Sequence, residues 1–227
     1  MKSPVSIAIL GASGYTGEEL VRICVRHPGM MVAAITSRQM KGKTLEDALA
    51  IGGTAGAIAF EDLATAEVAK RAEVFFLALP HGVAAAIGGE LRNLGKRVFD
   101  LSADFRLKSA ELYEKTYGAK HPEPKRLEEA VYGLPELNRV KIAKADLVAC
   151  PGCYPTTAIL GLAPAIRSGL VTGEGMVISS MSGVSGAGKK VEAGYLFAEC
   201  NENLKAYGLP HHRHRPEIEQ ELSALAG

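Results

Sequence analysis

The sequence has no long apolar run, no basic tract, no internal repeat and few cysteines, and each shortage removes a class of protein. The apolar stretch inside MKSPVSIAILGASG is too short to span a bilayer, and the glycines after it read as a turn rather than a signal-peptide cleavage site. A cytoplasmic chain with a mature N-terminus and no membrane partner is expected. Lys+Arg number 26 against Asp+Glu 25, a formal net charge of +1, so nothing here would track a phosphate backbone and no nucleic acid partner is expected. Acidic small molecules remain open as substrates. Four cysteines, Cys24, Cys150, Cys153 and Cys200, are too few to staple 227 residues and fit a reducing compartment.

What is present is enough apolar sequence, 47% against 22% charged, to bury one large core or two smaller ones. Apolar runs that read as buried parallel strands, Val5 to Leu10, Met31 to Thr36, Val74 to Leu79, Val98 to Leu101 and Leu147 to Cys150, alternate with helical stretches. That alternation predicts an α/β fold: a doubly wound nucleotide-binding domain over residues 1–150, then the first part of an α+β catalytic domain over 151–227. Leu20, Ile23 and Cys24 share a helical face in the first crossover, and His27-Pro28-Gly29 stops it. A further strand is expected over Met176 to Met181, after a helix that begins near Thr156, and the Gly-rich stretch beyond it reads as a loop over a site. Residues 120–126, with Pro122 and Pro124, read as a loop.

Four segments carry chemistry. GASGYTG at 11–17 follows the first strand and opens a helix, where bare N–H groups and the helix dipole can hold a pyrophosphate. The spacing is GxxGxxG rather than GxGxxG, and a plain strand-to-helix turn is the alternative. Cofactor contact is assigned to Gly11, Ser13, Gly14, Tyr15, Thr16 and Gly17. The second strand ends in Thr36-Ser37-Arg38, where an NAD enzyme would carry an acidic residue for the ribose; Ser37 and Arg38 suit the 2′-phosphate of NADP instead. CPGCYPTT at 150–157 puts Cys153 beside a helix N-terminus, with Pro155 in the first turn. A thiol of ordinary pKa ~8.5 is only about 3% thiolate at pH 7, so a nucleophile needs such help; a buried structural cysteine is the alternative. PHHRHRPEI at 210–218 gathers three of the six histidines, and SGVSGAGK at 182–189 offers backbone donors, Ser185 and Gly186 among them, to a phosphate or nicotinamide, or is a flexible loop.

Seven ordered blocks, GASGYTGEEL, LPHG at 79–82, DLSADFRL at 100–107, YGLPEL at 132–137, PGCYPT at 151–156, SGVSGAG at 182–188 and HRHRPEIEQ at 212–220, together resemble the N-acetyl-gamma-glutamyl-phosphate reductase family of the aspartate-semialdehyde dehydrogenase-like group. The resemblance implies NADPH/NADP as cofactor, no metal, a homo-oligomer, and an acyl phosphate substrate in arginine biosynthesis. It implies a Cys153 thioester reduced with NADPH as hydride source, His212 as acid/base with His214 as the alternative or a substrate contact, and Arg106 on the substrate's phosphate or carboxylate. Two departures stand out. Relatives carry Asn where this chain has Cys150, creating a CxxC that could form a protective disulfide, although a buried strand-end thiol is the alternative. Relatives also continue through more of the catalytic domain's sheet, so an incomplete second domain is expected. A lysine-pathway reductase of a carrier-bound aminoadipyl phosphate and a zinc or redox module built from Cys150, Cys153, His211, His212 and His214 remain open.

Overall fold

A computed structural model describes residues 3–227; Met1 and Lys2, part of the expected mature N-terminus, lie outside the described residues. The chain forms two compact units, one of residues up to Arg106 with His121–Cys150, the other of Leu107–Lys120 with Pro151–Gly227. The strands are β1 (Val5–Leu10), β2 (Met30–Thr36), β3 (Phe60–Glu61), β4 (Val74–Leu77), β5 (Arg97–Asp100), β6 (Val131–Tyr132) and β7 (Leu147–Ala149). The helices in chain order are α1 (Tyr15–Cys24), α2 (Leu45–Leu49), α3 (Thr65–Ala69), α4 (Val83–Asn93), α5 (Ala110–Tyr117), α6 (Pro135–Lys144), α7 (Cys153–Arg167), α8 (Phe197–Cys200) and α9 (Arg215–Ala226).

All seven strands belong to the first unit and form one parallel sheet of order β3-β2-β1-β4-β5-β7-β6. The expected α/β fold is what the chain adopts. The order reverses between β1 and β4, which opens the crevice at the carboxyl ends of those strands where such sheets take ligands. Burial on both faces explains the unbroken apolar reading of β1, whose Ile7, Ala8, Ile9 and Leu10 are all buried. Ile7 and Ile9 pack with Val21, Ile35, Leu45 and Phe60 on one face, each such side chain contributing on the order of 1.5–3 kcal/mol relative to exposure. β3 and β6, each two residues long, carry too little pattern to be read from sequence.

Two expectations need correction. The buried face of α1 is Gly17, Val21 and Cys24, an i, i+4, i+7 stripe, whereas Ile23 lies 62% exposed. Met176 to Met181 is not a strand: extended backbone becomes one only by pairing, and among the described residues the second unit holds no strand for it to pair with. Val177 and Met181 are exposed accordingly.

The second unit is built on α7 packed against α9, with Ala158, Ile159, Ala163, Ile166 and Leu222 buried. Residues 107–120 join it through the Lys108 N–H, which donates to Gln220 Oε1 at 2.8 Å, and through Arg213, whose guanidinium lies 6.0 Å from the Tyr117 ring centroid.

In the first unit, α4 starts at Gly82, which has a φ of +78° and no side chain to cap the helix. The cap comes from Asp104, one of whose oxygens accepts from Gly82 N at 2.7 Å and Ala85 N at 2.8 Å. Asp104→Ala leaves the buried Ala85 N–H and the half-buried Gly82 N–H without this acceptor and should cost about 1–3 kcal/mol, read as a lower urea midpoint at unchanged m-value. An unchanged midpoint would assign the capping of α4 to something other than this carboxylate.

Candidate functional site

The three glycines after β1 serve three different needs. Gly11 has a φ of +83°, and a Cβ there would lie 2.3 Å from the Ala78 carbonyl oxygen at the end of β4. Gly17 lies under the turn, where a Cβ would come within 2.4 Å of the Gly11 carbonyl oxygen. Gly14, the N-cap of α1, faces open space with nothing within 4 Å of a built Cβ. The turn is thus packed tightly on the protein side and bare where a ligand's phosphates would approach. Tyr15 and Thr16, in the first helical turn, are exposed beside it. Ser37 donates to Ser13 Oγ at 2.8 Å and accepts from Met40 N at 3.2 Å, so one buried hydroxyl ties the loop after β2 to the glycine turn. Arg38, next in sequence, is exposed. The first unit therefore brings together all eight of its expected cofactor residues, and they fit a dinucleotide: a bare helix N-terminus for the pyrophosphate and a guanidinium beyond β2.

At the carboxyl end of β5, the run DLSADFR turns inward. Asp100 is fully buried; its carboxylate accepts from Ser102 N at 3.0 Å and Ser102 Oγ at 2.7 Å, and burial pushes its pKa up to about 7 against these bonds. Arg106, 6% exposed, donates from Nε to the Cys150 carbonyl at 2.8 Å and from Nη2 to the Leu101 carbonyl at 2.9 Å. Its guanidinium holds main chain through these two bonds. Cys150 is fixed at both ends, since its N–H donates to the Asp100 carbonyl at 2.8 Å. Burial, with Asp100 beside it, pushes the Cys150 thiol up to about 12. A thiol so fully protonated makes a poor partner for disulfide exchange and favours the strand-end reading over the redox one.

In the second unit, Cys153 is exposed and is the first residue of α7, with Gly152 as N-cap, as the motif predicts. The Gly152 N–H donates to Glu217 Oε1 at 3.0 Å, and Glu217 is fully buried in the first turn of α9. Tyr154 sets its ring 5.3 Å from that of His212 and 6.0 Å from that of His214, and Tyr207 lies 5.2 Å from His212. Burial and the Tyr154 hydroxyl raise the Tyr207 pKa, and both tyrosine rings lie against His212. His212 is held below the usual histidine range by burial and by Arg213, and its Nδ1 accepts from His214 N at 3.1 Å. Ser185 and Gly186 lie in a short 3-10 turn, Val184–Ala187, and are exposed. Among the described residues, no three His, Cys, Asp or Glu side chains converge as metal ligands, which leaves the zinc reading without a ligand set.

Residues 6–145 match the family described as semialdehyde dehydrogenase, NAD binding domain, and residues 153–227 match semialdehyde dehydrogenase, dimerisation domain. The chain belongs to the semialdehyde dehydrogenase family. Within it, the N-acetyl-gamma-glutamyl-phosphate reductase of Akkermansia muciniphila is 51% identical over 98% of this chain and 65% of its own length. That of Moorella thermoacetica is 48% identical over 98% and 64%. The chain thus spans just under two thirds of the curated relatives it matches. Among solved structures, aspartate semialdehyde dehydrogenase II of Vibrio cholerae has a TM-score of 0.57 at 16% identity, covering 83% of this chain and 49% of that one. Aspartate semialdehyde dehydrogenase of Francisella tularensis gives 0.56 at 16%, covering 81% and 46%. These two share the fold.

Tyr207 stands in no sequence motif, and Glu217 stands inside the histidine motif with a role that shows only through its contact with Gly152. Asp100 offers a pH test. Its folded pKa of about 7 stands above the ordinary 3.8, so the folded state keeps a proton that the unfolded chain releases. The stability this gives is full below about pH 4 and is lost as pH rises towards 7. Asp100→Asn should therefore gain on wild type across that window, with a slope of at most about 1.4 kcal/mol per pH unit, and run parallel above it. Unfolding free energies of both proteins at several pH values decide it; parallel curves from pH 4 upward would mean that Asp100 is ionised in the fold.

Proposed function

We propose that the chain carries the cofactor site and nucleophile of an enzyme that reduces N-acetyl-L-glutamyl 5-phosphate to N-acetyl-L-glutamate 5-semialdehyde. The observation that carries this is the exposed Cys153 opening α7, in a chain about half identical to reductases of that name. Cys153 Sγ attacks the acyl carbon after giving its proton to solvent, the C–S bond forms as the C–O bond breaks, inorganic phosphate leaves with that bonding pair, and a thioester remains on the enzyme. The N–H groups of the first turn of α7 favour the negative charge that develops beside Cys153. His212, neutral and with its Nδ1 occupied as an acceptor, donates from Nε2 to the carbonyl oxygen as negative charge builds there. NADPH, when bound, supplies hydride. Gly11 and Gly17 let the turn pack so that the bare Gly14 would meet its pyrophosphate at the α1 N-terminus, Ser13, Tyr15, Thr16 and Ser37 would line that approach, and Arg38 would pair with the 2′-phosphate. Ser185 and Gly186 offer backbone donors on the second unit. His214 and Arg106 position their neighbours. The working enzyme is a homo-oligomer, in keeping with the family description of residues 153–227, and acts in the cytoplasm. No helix among the described residues is long and apolar enough to cross a membrane.

Cys153→Ser should abolish reduction of the acyl phosphate, followed as NADPH oxidation, while NADPH affinity stays at the wild-type value. Substantial turnover by this variant would remove the thioester. Arg38→Glu should weaken NADPH binding roughly tenfold or more and leave NADH binding nearly unchanged, because only the former has the phosphate. Equal losses for the two cofactors would place Arg38 away from the 2′ position.

A further inference from the structure

We propose that Glu217 is the positioning residue of the nucleophile: by accepting the Gly152 N–H, it fixes in one contact the residue that opens the Cys153 helix and the helix that follows His212. The inference rests on the reading of Cys153 as nucleophile and adds to it a group that never touches substrate. Glu217 is fully buried, a placement that costs a carboxylate several kcal/mol unless its surroundings replace water. Glutamate at the third position of a helix ordinarily turns back to its own N-cap N–H. Here the Oε1 atom reaches across to the other helix at 3.0 Å. Neither helix has a side-chain cap of its own, because Gly152 has no side chain and His214 makes no capping bond. The carboxylate therefore stands where two uncapped helix N-termini meet, and both dipoles favour it. The contact also sets register. Cys153 follows Gly152 directly, and His212 lies five residues before Glu217, with Tyr154 spanning the gap to the His212 ring at 5.3 Å. Any slide of α9 along α7 would move His212 relative to Cys153, and the hydrogen bond opposes that slide.

Three substitutions separate geometry from charge. Glu217→Gln keeps an acceptor oxygen at the same reach without the charge; Glu217→Asp keeps the charge but withdraws the oxygen by one methylene; Glu217→Ala removes both. The first readout is alkylation of Cys153 by iodoacetamide, located by peptide mass mapping, which needs no substrate and so stands or falls apart from the identity of the acyl phosphate. Folding is checked by circular dichroism. A positioning role predicts that Gln alkylates within about twofold of wild type while Asp and Ala fall roughly fivefold or more. In turnover, Asp and Ala should lose kcat with little change in KM, and Gln should restore it. Asp behaving as wild type while Gln fails would show that the charge matters and the reach does not, which overturns the proposal. Wild-type alkylation and kcat in Asp, and in Ala where it folds, would overturn it as well. If Ala does not fold, the Asp and Gln pair decides alone.

Discussion

The nucleotide end of the molecule depends on a close approach of main chain to main chain that only glycine permits. β1 delivers Gly11 against the Ala78 carbonyl at the end of β4, and α1 is pressed so close under the turn that Gly17 meets the Gly11 carbonyl. A methyl group at either point would overlap backbone, which has no rotamer in which to retreat. With α1 held there, its N-terminus lies at the crevice where the sheet changes direction, and Gly14 is the uncrowded part of the turn. The Ser37–Ser13 hydrogen bond extends the same constraint to the loop carrying Arg38. The glycine turn and the start of the loop after β2 are thus tied together.

A second constraint operates where β4, β5 and β7 end. Asp100, Ser102, Asp104 and Arg106 are all buried, and an apolar core accepts such a run only if its members are satisfied. Asp100 binds Ser102, the Ser102 hydroxyl accepts from Asp104 N, Asp104 caps α4, and Arg106 holds the carbonyls of Leu101 and Cys150. His121 joins in, its Nδ1 accepting from Glu123 N and its Nε2 therefore donating to the Asp104 carbonyl. Each link fixes a loop that leaves a strand. The network uses direction as well as energy, since a shift at any of these strand ends would strand a buried donor or acceptor.

This division explains what the sequence disclosed. Strand positions were legible because two-sided burial leaves continuous Val, Ile and Leu runs, and the glycine turn because its residues follow β1 without a gap. Cys153 at the head of α7 was legible from Pro155 and the Gly before it. Local pattern failed wherever the partner was remote. Ile23 fits a helical stripe with Leu20, but the sheet selects the neighbouring stripe through Val21. Met176 to Met181 has a strand's composition and no strand beside it among the described residues. The main-chain role of Arg106 was hidden because its carbonyl partners lie five and 44 residues away. Glu217 is invisible for the same reason: its contact spans 65 residues.

The histidine motif admits a sharper reading than acid/base. A neutral imidazole has one donor and one acceptor nitrogen, and the His214 N–H claims Nδ1 of His212 as the acceptor. The ring proton therefore sits on Nε2. Removing a proton from Cys153 would require a lone pair at Nε2, and so a tautomer whose Nδ1–H opposes the His214 N–H. That arrangement leaves two donors facing each other, so the ring is set against the role of base and for that of donor. The lowered pKa of His212, caused by burial and Arg213, keeps the ring neutral near pH 7 and preserves this tautomer.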